Sequence, residues 1–129
     1  MNVVPEAKTM KALRVLVVED DVIIAQLLAE MLEAMGHTVC AIETTEAEAV
    51  AAAAICQPDL MIVDAQLDVG YGVAAVEEIL RAGSVPHLFV SGNSSGVKTL
   101  RPSAVVIQKP FREADLTRAI QRALHAAAG

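Results

Sequence analysis

Glu19-Asp20-Asp21, Asp64, Ser91 and Lys109 with Pro110 behind it are the positions in this chain whose side chains could do chemistry together. Glu19, Asp20 and Asp64 in one pocket would repel one another unless a cation stood between them. Oxygen ligands with no His or Cys beside them suit Mg2+, with Mn2+ as the alternative, and disfavour Zn2+. Mg2+ typically takes one or two carboxylates and leaves its remaining positions to water and a phosphate oxygen. Lys109 offers a mobile point charge for another phosphate oxygen, and Ser91 offers a hydroxyl donor. Such a set can position and neutralise a phosphoryl group, with Asp64 at its centre as the nucleophile.

For these residues to meet, the elements that carry them must end at one edge. Arg14 to Glu19 is a continuous apolar run capped by acid, and Val22 to Met35 repeats apolar residues at helical spacing up to Gly36, a C-cap signal. Thr38 to Ile42 reads as a second strand. Thr45 with Glu48 is a capping-box signature for an Ala-rich helix to about Cys56, which Pro58 prevents from continuing. Leu60 to Val63 is a third strand delivering Asp64. Val73 to Arg81 follows as a helix after a loop holding Gly70 and Gly72, and Gly83 ends it. His87 to Val90 is a fourth strand with Ser91 at its end. Gly92 to Ser103 is polar and short, with room for one weak helical turn before a fifth strand, Ala104 to Gln108. Arg112 to Ala127 closes the pattern as an amphipathic helix. Strands alternating with helices imply an α/β fold, an open, doubly wound parallel sheet covered on both faces, whose ligands gather outside the carboxyl ends of its strands.

At 129 residues and 54% apolar content the chain is one domain with ample material for a core. A net charge of −6 disfavours direct binding of nucleic acid, which relies on Lys and Arg. No stretch approaches the roughly 20 apolar residues of a membrane span and no signal-peptide pattern opens the chain, so a cytoplasmic protein is expected. Cys40 and Cys56 lack a C-x-x-C spacing and are expected to be buried free thiols. His37, His87 and His125 have no partner at metal-ligand spacing.

The motifs VLVVEDD at 15–21, DLMIVD ending at Asp64, Gly72, FVSG at 89–92 and QKPF at 108–111 appear in an order and spacing that resembles the receiver domain of bacterial two-component response regulators. The resemblance spans about residues 13 to 126, so a single receiver domain at 13–127 with an N-terminal extension at 1–12 is expected. It implies a flavodoxin-like (βα)5 fold with strand order 2-1-3-4-5. It makes Asp64 the phospho-acceptor, Asp20 a direct Mg2+ ligand, Glu19 its acidic partner and Gln66 a metal ligand through its main-chain carbonyl. Ser91 and Lys109 become the hydroxyl and the phosphate-binding lysine, and the bond from Lys109 to Pro110 is usually cis in the family. The implied donor is a histidine kinase or histidine phosphotransfer protein. The readout is contact with a downstream protein, a relay or a phosphate sink, and a homodimer is left open. The run DAQLDVGYGVAAVEEIL followed by VPHLFVSGN is similar to alphaproteobacterial receivers of the general stress response and to stand-alone receivers related to them.

Two departures stand out. Most receivers carry Tyr or Phe where this chain has Val106, so the aromatic relay is absent, and a switch that orders or repositions Gly92 to Ser103 is expected instead. Asp68 replaces a common Pro, which suggests a looser loop after Asp64. Asp21 reads as a helix cap rather than a ligand, and Gln66 and Asn93 flank the approach of an attacking water. Three other functions compete. A degenerate receiver would bind partners without phosphate. A phosphatase of the haloacid dehalogenase type needs a second Asp where Gln66 stands. A mononucleotide binder needs phosphate-cradling amides where Glu19 to Asp21 stand.

Overall fold

The structure, a computed structural model, describes residues 11–67 and 70–128. Among the described residues strands and helices alternate: β1 (Arg14–Val18), α1 (Val22–Ala34), β2 (Thr38–Glu43), α2 (Glu46–Cys56), β3 (Leu60–Asp64), α3 (Gly72–Ala82), β4 (His87–Ser91), α4 (Ser94–Leu100), β5 (Val106–Gln108) and α5 (Glu113–Ala128). All strands are parallel and ordered β2-β1-β3-β4-β5, the flavodoxin-like arrangement.

The continuous apolar strands are explained by helices on both sides of the sheet. Val15, Val17, Leu60, Ile62, Leu88 and Val90 face one way, against Leu28 and Leu32 of α1 and Leu116 and Ile120 of α5. Leu16, Val18, Met61, Val63 and Phe89 face the other, against the alanines of α2, Val76 and Ile79 of α3 and Val97 of α4. Each fully buried aliphatic side chain contributes about 1.5–3 kcal/mol, so the central strands are the rigid floor of the molecule.

Local chemistry sets the ends of the elements. The Asp21 carboxylate accepts the Ile23 and Ile24 amides and starts α1. Thr45 accepts the Glu48 amide at the start of α2, while the Glu48 carboxylate accepts the Thr44 hydroxyl, so the reciprocal arm of the capping box lands one residue early. Gly36 takes the left-handed φ of +92° after α1. Gln57 takes a left-handed φ of +48° as the C-cap of α2, its amide donating to the Ala53 carbonyl, and Pro58 behind it cannot continue the helix.

Three details differ from the sequence expectation. The segment after Ser91 holds a seven-residue helix, α4, rather than one weak turn. The Asn93 side chain accepts the Gly96 amide as its cap, and Val97 is buried beneath it. β5 spans three residues, starting at Val106 rather than Ala104. Cys40 and Cys56 are free but half-buried, and burial first, then the neighbouring Cys56 thiol, pushes the Cys40 thiol up to about 12. The expected extension at 1–12 lies outside the described residues except for the exposed Lys11 and Ala12, and Asp68 lies outside them too.

Candidate functional site

Register alone brings the candidate residues together. Val18 of β1 pairs with Val63 of β3, so the next residues, Glu19 and Asp64, emerge side by side. Asp64 pairs with Val90, which places Ser91 one step beyond, and Ser91 pairs with Gln108, one step before Lys109. The Lys109 amide donates to the Ser91 carbonyl at 2.8 Å, carrying the ladder past the end of β5. The Lys109–Pro110 peptide is cis. With β1 and β3 adjacent and their crossovers on opposite faces, this edge is the topological switch point of the sheet.

At its centre Asp64 is buried but still reachable. Its Oδ1 accepts the Gln66 amide at 3.0 Å, and its Oδ2 faces Lys109 Nζ at 3.3 Å. Lys109 also stands 3.5 Å from Glu19 Oε1. Burial opposes the charge on this lysine, but the two carboxylates outweigh it and raise its pKa. Glu19, Asp20 and Asp64 each offer a carboxylate oxygen, all within 4.8 Å of one another.

Glu19 is the most strained electrostatically. It is 1% exposed. Oε2 accepts the Asp21 amide at 3.1 Å, whereas the buried Oε1 receives no hydrogen bond. Burial first, then the Asp64 carboxylate, push its pKa up to about 7, against the pull of the Asp21 amide and Lys109. A buried carboxylate oxygen that accepts no hydrogen bond and lies beside two further carboxylates suits a divalent cation, and the donor set is all hard oxygen.

The described ends of the loop after Asp64 are joined by several contacts. Gln66 and Tyr71 form a bridge across it, and the Gly72 amide donates to the Ala65 carbonyl. From α2, Glu46 accepts the Tyr71 amide at 3.1 Å. Glu46 was not singled out from the sequence, because a first-turn glutamate has an adequate role in its own helix.

Ser91 is buried at the end of β4, where its hydroxyl accepts the Asn93 amide at 2.9 Å. All the predicted site residues therefore converge on one edge. Asp21 is committed to capping α1. Asn93 caps α4, with its Oδ1 also accepting the Ser95 hydroxyl. His37 is elsewhere, a buried structural residue whose Nδ1 accepts the Leu13 amide.

Residues 15–121 match the response regulator receiver domain. Among characterised proteins, the chain is 35% identical over 117 residues to the phyllosphere-induced regulator PhyR of Methylorubrum extorquens, covering 88% of this chain and 44% of that protein. It is 32% identical to the transcriptional regulatory protein PdtaR of Mycobacterium tuberculosis, covering 86% of this chain and 56% of that one. The chain thus spans about half the length of the curated relatives it matches. The solution structure of the PhyR receiver domain of Erythrobacter litoralis superposes with a TM-score of 0.82 at 31% identity, covering 91% of this chain and 93% of that one. An anti-anti-sigma factor PhyR of Bartonella quintana superposes with 0.81 at 29% identity, over 95% of this chain and 52% of that one.

Proposed function

The chain belongs to the response regulator receiver family, and on that premise we propose that it accepts a phosphoryl group on Asp64 and signals the change by protein contact. The observation that carries this reading is the placement of Lys109 Nζ 3.3 Å from Asp64 Oδ2, on the rim of the Glu19, Asp20 and Asp64 cluster.

In this reading the Asp64 carboxylate attacks the phosphorus of a phosphohistidine on a histidine kinase or a histidine phosphotransfer protein. The P–N bond breaks, its electron pair stays on the imidazole, and that ring takes up a proton. Lys109 and the Ser91 hydroxyl bind phosphoryl oxygens, while the Gln66 amide holds the acceptor carboxylate in place. Glu19, Asp20 and Asp64, with the Gln66 main-chain carbonyl, would hold Mg2+, or Mn2+ in its place, which supplies positive charge for the transferring oxygens. The protein positions and neutralises rather than turning over a substrate, so its role is that of a regulator.

Downstream, contact with a protein partner is favoured by the PhyR relatives, one of which is described as an anti-anti-sigma factor. Relay to a second histidine and a phosphate sink use the same chemistry. A net charge of −6 disfavours nucleic acid as a direct partner. No helix among the described residues is long and apolar enough to cross a membrane, and we place the protein in the cytoplasm with the kinase output.

The test is incubation with acetyl phosphate and Mg2+, read by intact mass and peptide mapping. One added phosphoryl group on Asp64, absent from Asp64→Asn and absent when Mg2+ is chelated, is the expected result. A chain that takes no label while folded would be a receiver that binds its partners without phosphate.

A further inference from the structure

Gln108 ends β5 one residue before Lys109, and although its side chain is exposed, both ends of its amide are engaged. Nε2 donates to the Gly92 carbonyl at 2.7 Å, and Oε1 accepts the amide of Ser94, the first residue of α4, at 3.0 Å. These partners lie 16 and 14 residues away in the chain. Fixing a long side chain at the surface costs rotamer entropy, so two simultaneous bonds of opposite polarity mark a defined position rather than chance solvent exposure.

What the amide joins matters more than that it is joined. Gly92 separates Ser91 from Asn93. The Ser91 hydroxyl accepts the Asn93 amide, and the Asn93 side chain accepts the Gly96 amide in the first turn of α4. On the other side, Gln108 is bonded through the chain to Lys109, whose amide donates to the Ser91 carbonyl. One short network therefore links both phosphate-facing groups to the entry of α4. Val106, two residues earlier and so on the same face of β5, packs in the layer containing Val97 of α4 but brings no polar atom. Gln108 is the residue on this face that can report the position of β5 to α4 by hydrogen bonding.

We propose that Gln108 is a positioning residue that couples the Ser91–Lys109 edge to α4. Its amide clamps the entry of α4, and movement of Ser91 and Lys109 toward a group on Asp64 is transmitted through it. The trigger rests on the phospho-acceptor reading above, whereas the clamp is a property of the resting protein.

Gln108→Leu keeps the bulk of the side chain and removes both bonds at a surface position. In the resting protein, amide exchange at Ser94, Gly96 and Val97 is expected to speed up roughly fivefold, the factor one net hydrogen bond corresponds to, with exchange at Met61 and Val63 of β3 unchanged. Unaltered exchange in α4 overturns the clamp, and so does equal acceleration in β3, which would mean general loosening. With Mg2+ and beryllofluoride as the phosphoryl mimic, the Gln66 amide is expected to shift in both proteins and the α4 amides in the wild type, the latter falling by half or more in the variant. An equal α4 response in the two proteins overturns the coupling. If Gln66 does not respond even in the wild type, the phospho-acceptor reading fails, and resting exchange alone decides the clamp.

Discussion

Gly72 lies against the main-chain carbonyl of Asp64 so closely that a Cβ there would collide with that oxygen and with Val63 Cγ1. The first residue of α3 thereby fixes how far the end of β3 that carries Asp64 can project, and neither colliding group is a flexible side-chain end.

Gly72→Ala should therefore destabilise the fold by roughly 1–3 kcal/mol, the usual cost of forcing extra volume into a packed site. It should also slow labelling of Asp64, because relief requires the main chain at Asp64 to move. Urea unfolding and acetyl phosphate labelling measure the two effects. A variant with the wild-type midpoint would show that the loop has slack.

Glu19 predicts a pH dependence. Its pKa rises from 4.5 to about 7 in the folded protein through burial and the neighbouring Asp64 carboxylate. Between those values the folded state binds more protons than the unfolded state, so this contribution is present at the acid end and is lost as pH rises through about 7. His37 acts in the opposite sense, since burial lowers its pKa below 6.5 and its contribution is lost as pH falls through that range. His87 shares that sign, its pKa lowered first by burial. Without divalent metal, wild type relative to Glu19→Gln should lose on the order of 1–3 kcal/mol between pH 5 and pH 8. Parallel stability curves for the two proteins would remove Glu19 as the source.

Mg2+ should reverse that loss. At a hundredfold excess over its dissociation constant, a cation bound only by the folded state stabilises by about 2.7 kcal/mol, and the gain should be larger at pH 8 than at pH 5. A melting temperature indifferent to Mg2+ at pH 8 would exclude a metal site built on Glu19, Asp20 and Asp64.

Lys109→Met separates metal binding from phosphoryl binding. Lys109 stands 3.5 Å from Glu19 Oε1 and 3.3 Å from Asp64 Oδ2, so in the resting protein it competes with a cation for the same carboxylates. Its removal should tighten Mg2+ about three- to tenfold by calorimetry while slowing Asp64 labelling by about 100-fold. Weaker Mg2+ binding in the variant would contradict this competition.

Asp21→Ala tests the division of labour in the acidic triplet. Loss of the α1 cap should cost about 1 kcal/mol, with Mg2+ affinity within twofold of wild type. A tenfold weaker site would make Asp21 a ligand rather than a cap.

Much of this was legible in the sequence because it depends on local pattern. β-branched runs, helical spacing, the Asp21 cap and the Gly36 stop are determined by residues within a few positions of each other, and among the described residues they gave the five strands and four of the five helices with small errors at their ends. The site residues were legible because each follows an apolar run directly. α4 was underestimated because its polar composition hides the two features that hold it, the Asn93 cap and the burial of Val97. The first is a local signal that could have been read. The second requires the sheet.

The sequence by itself determined which residues end strands and which chemistry they offer, since strand termination and side-chain type are local properties. Only the tertiary structure decided the rest, because register places residues far apart in the chain at the same level of the sheet. It set the burial that raises Glu19 to about 7, the contact of Gly72 with the Asp64 carbonyl, and the grip of Gln108 on Gly92 and Ser94. Solvation, close packing and hydrogen bonds between distant segments are properties of neighbours in space, and the linear order of residues does not name those neighbours.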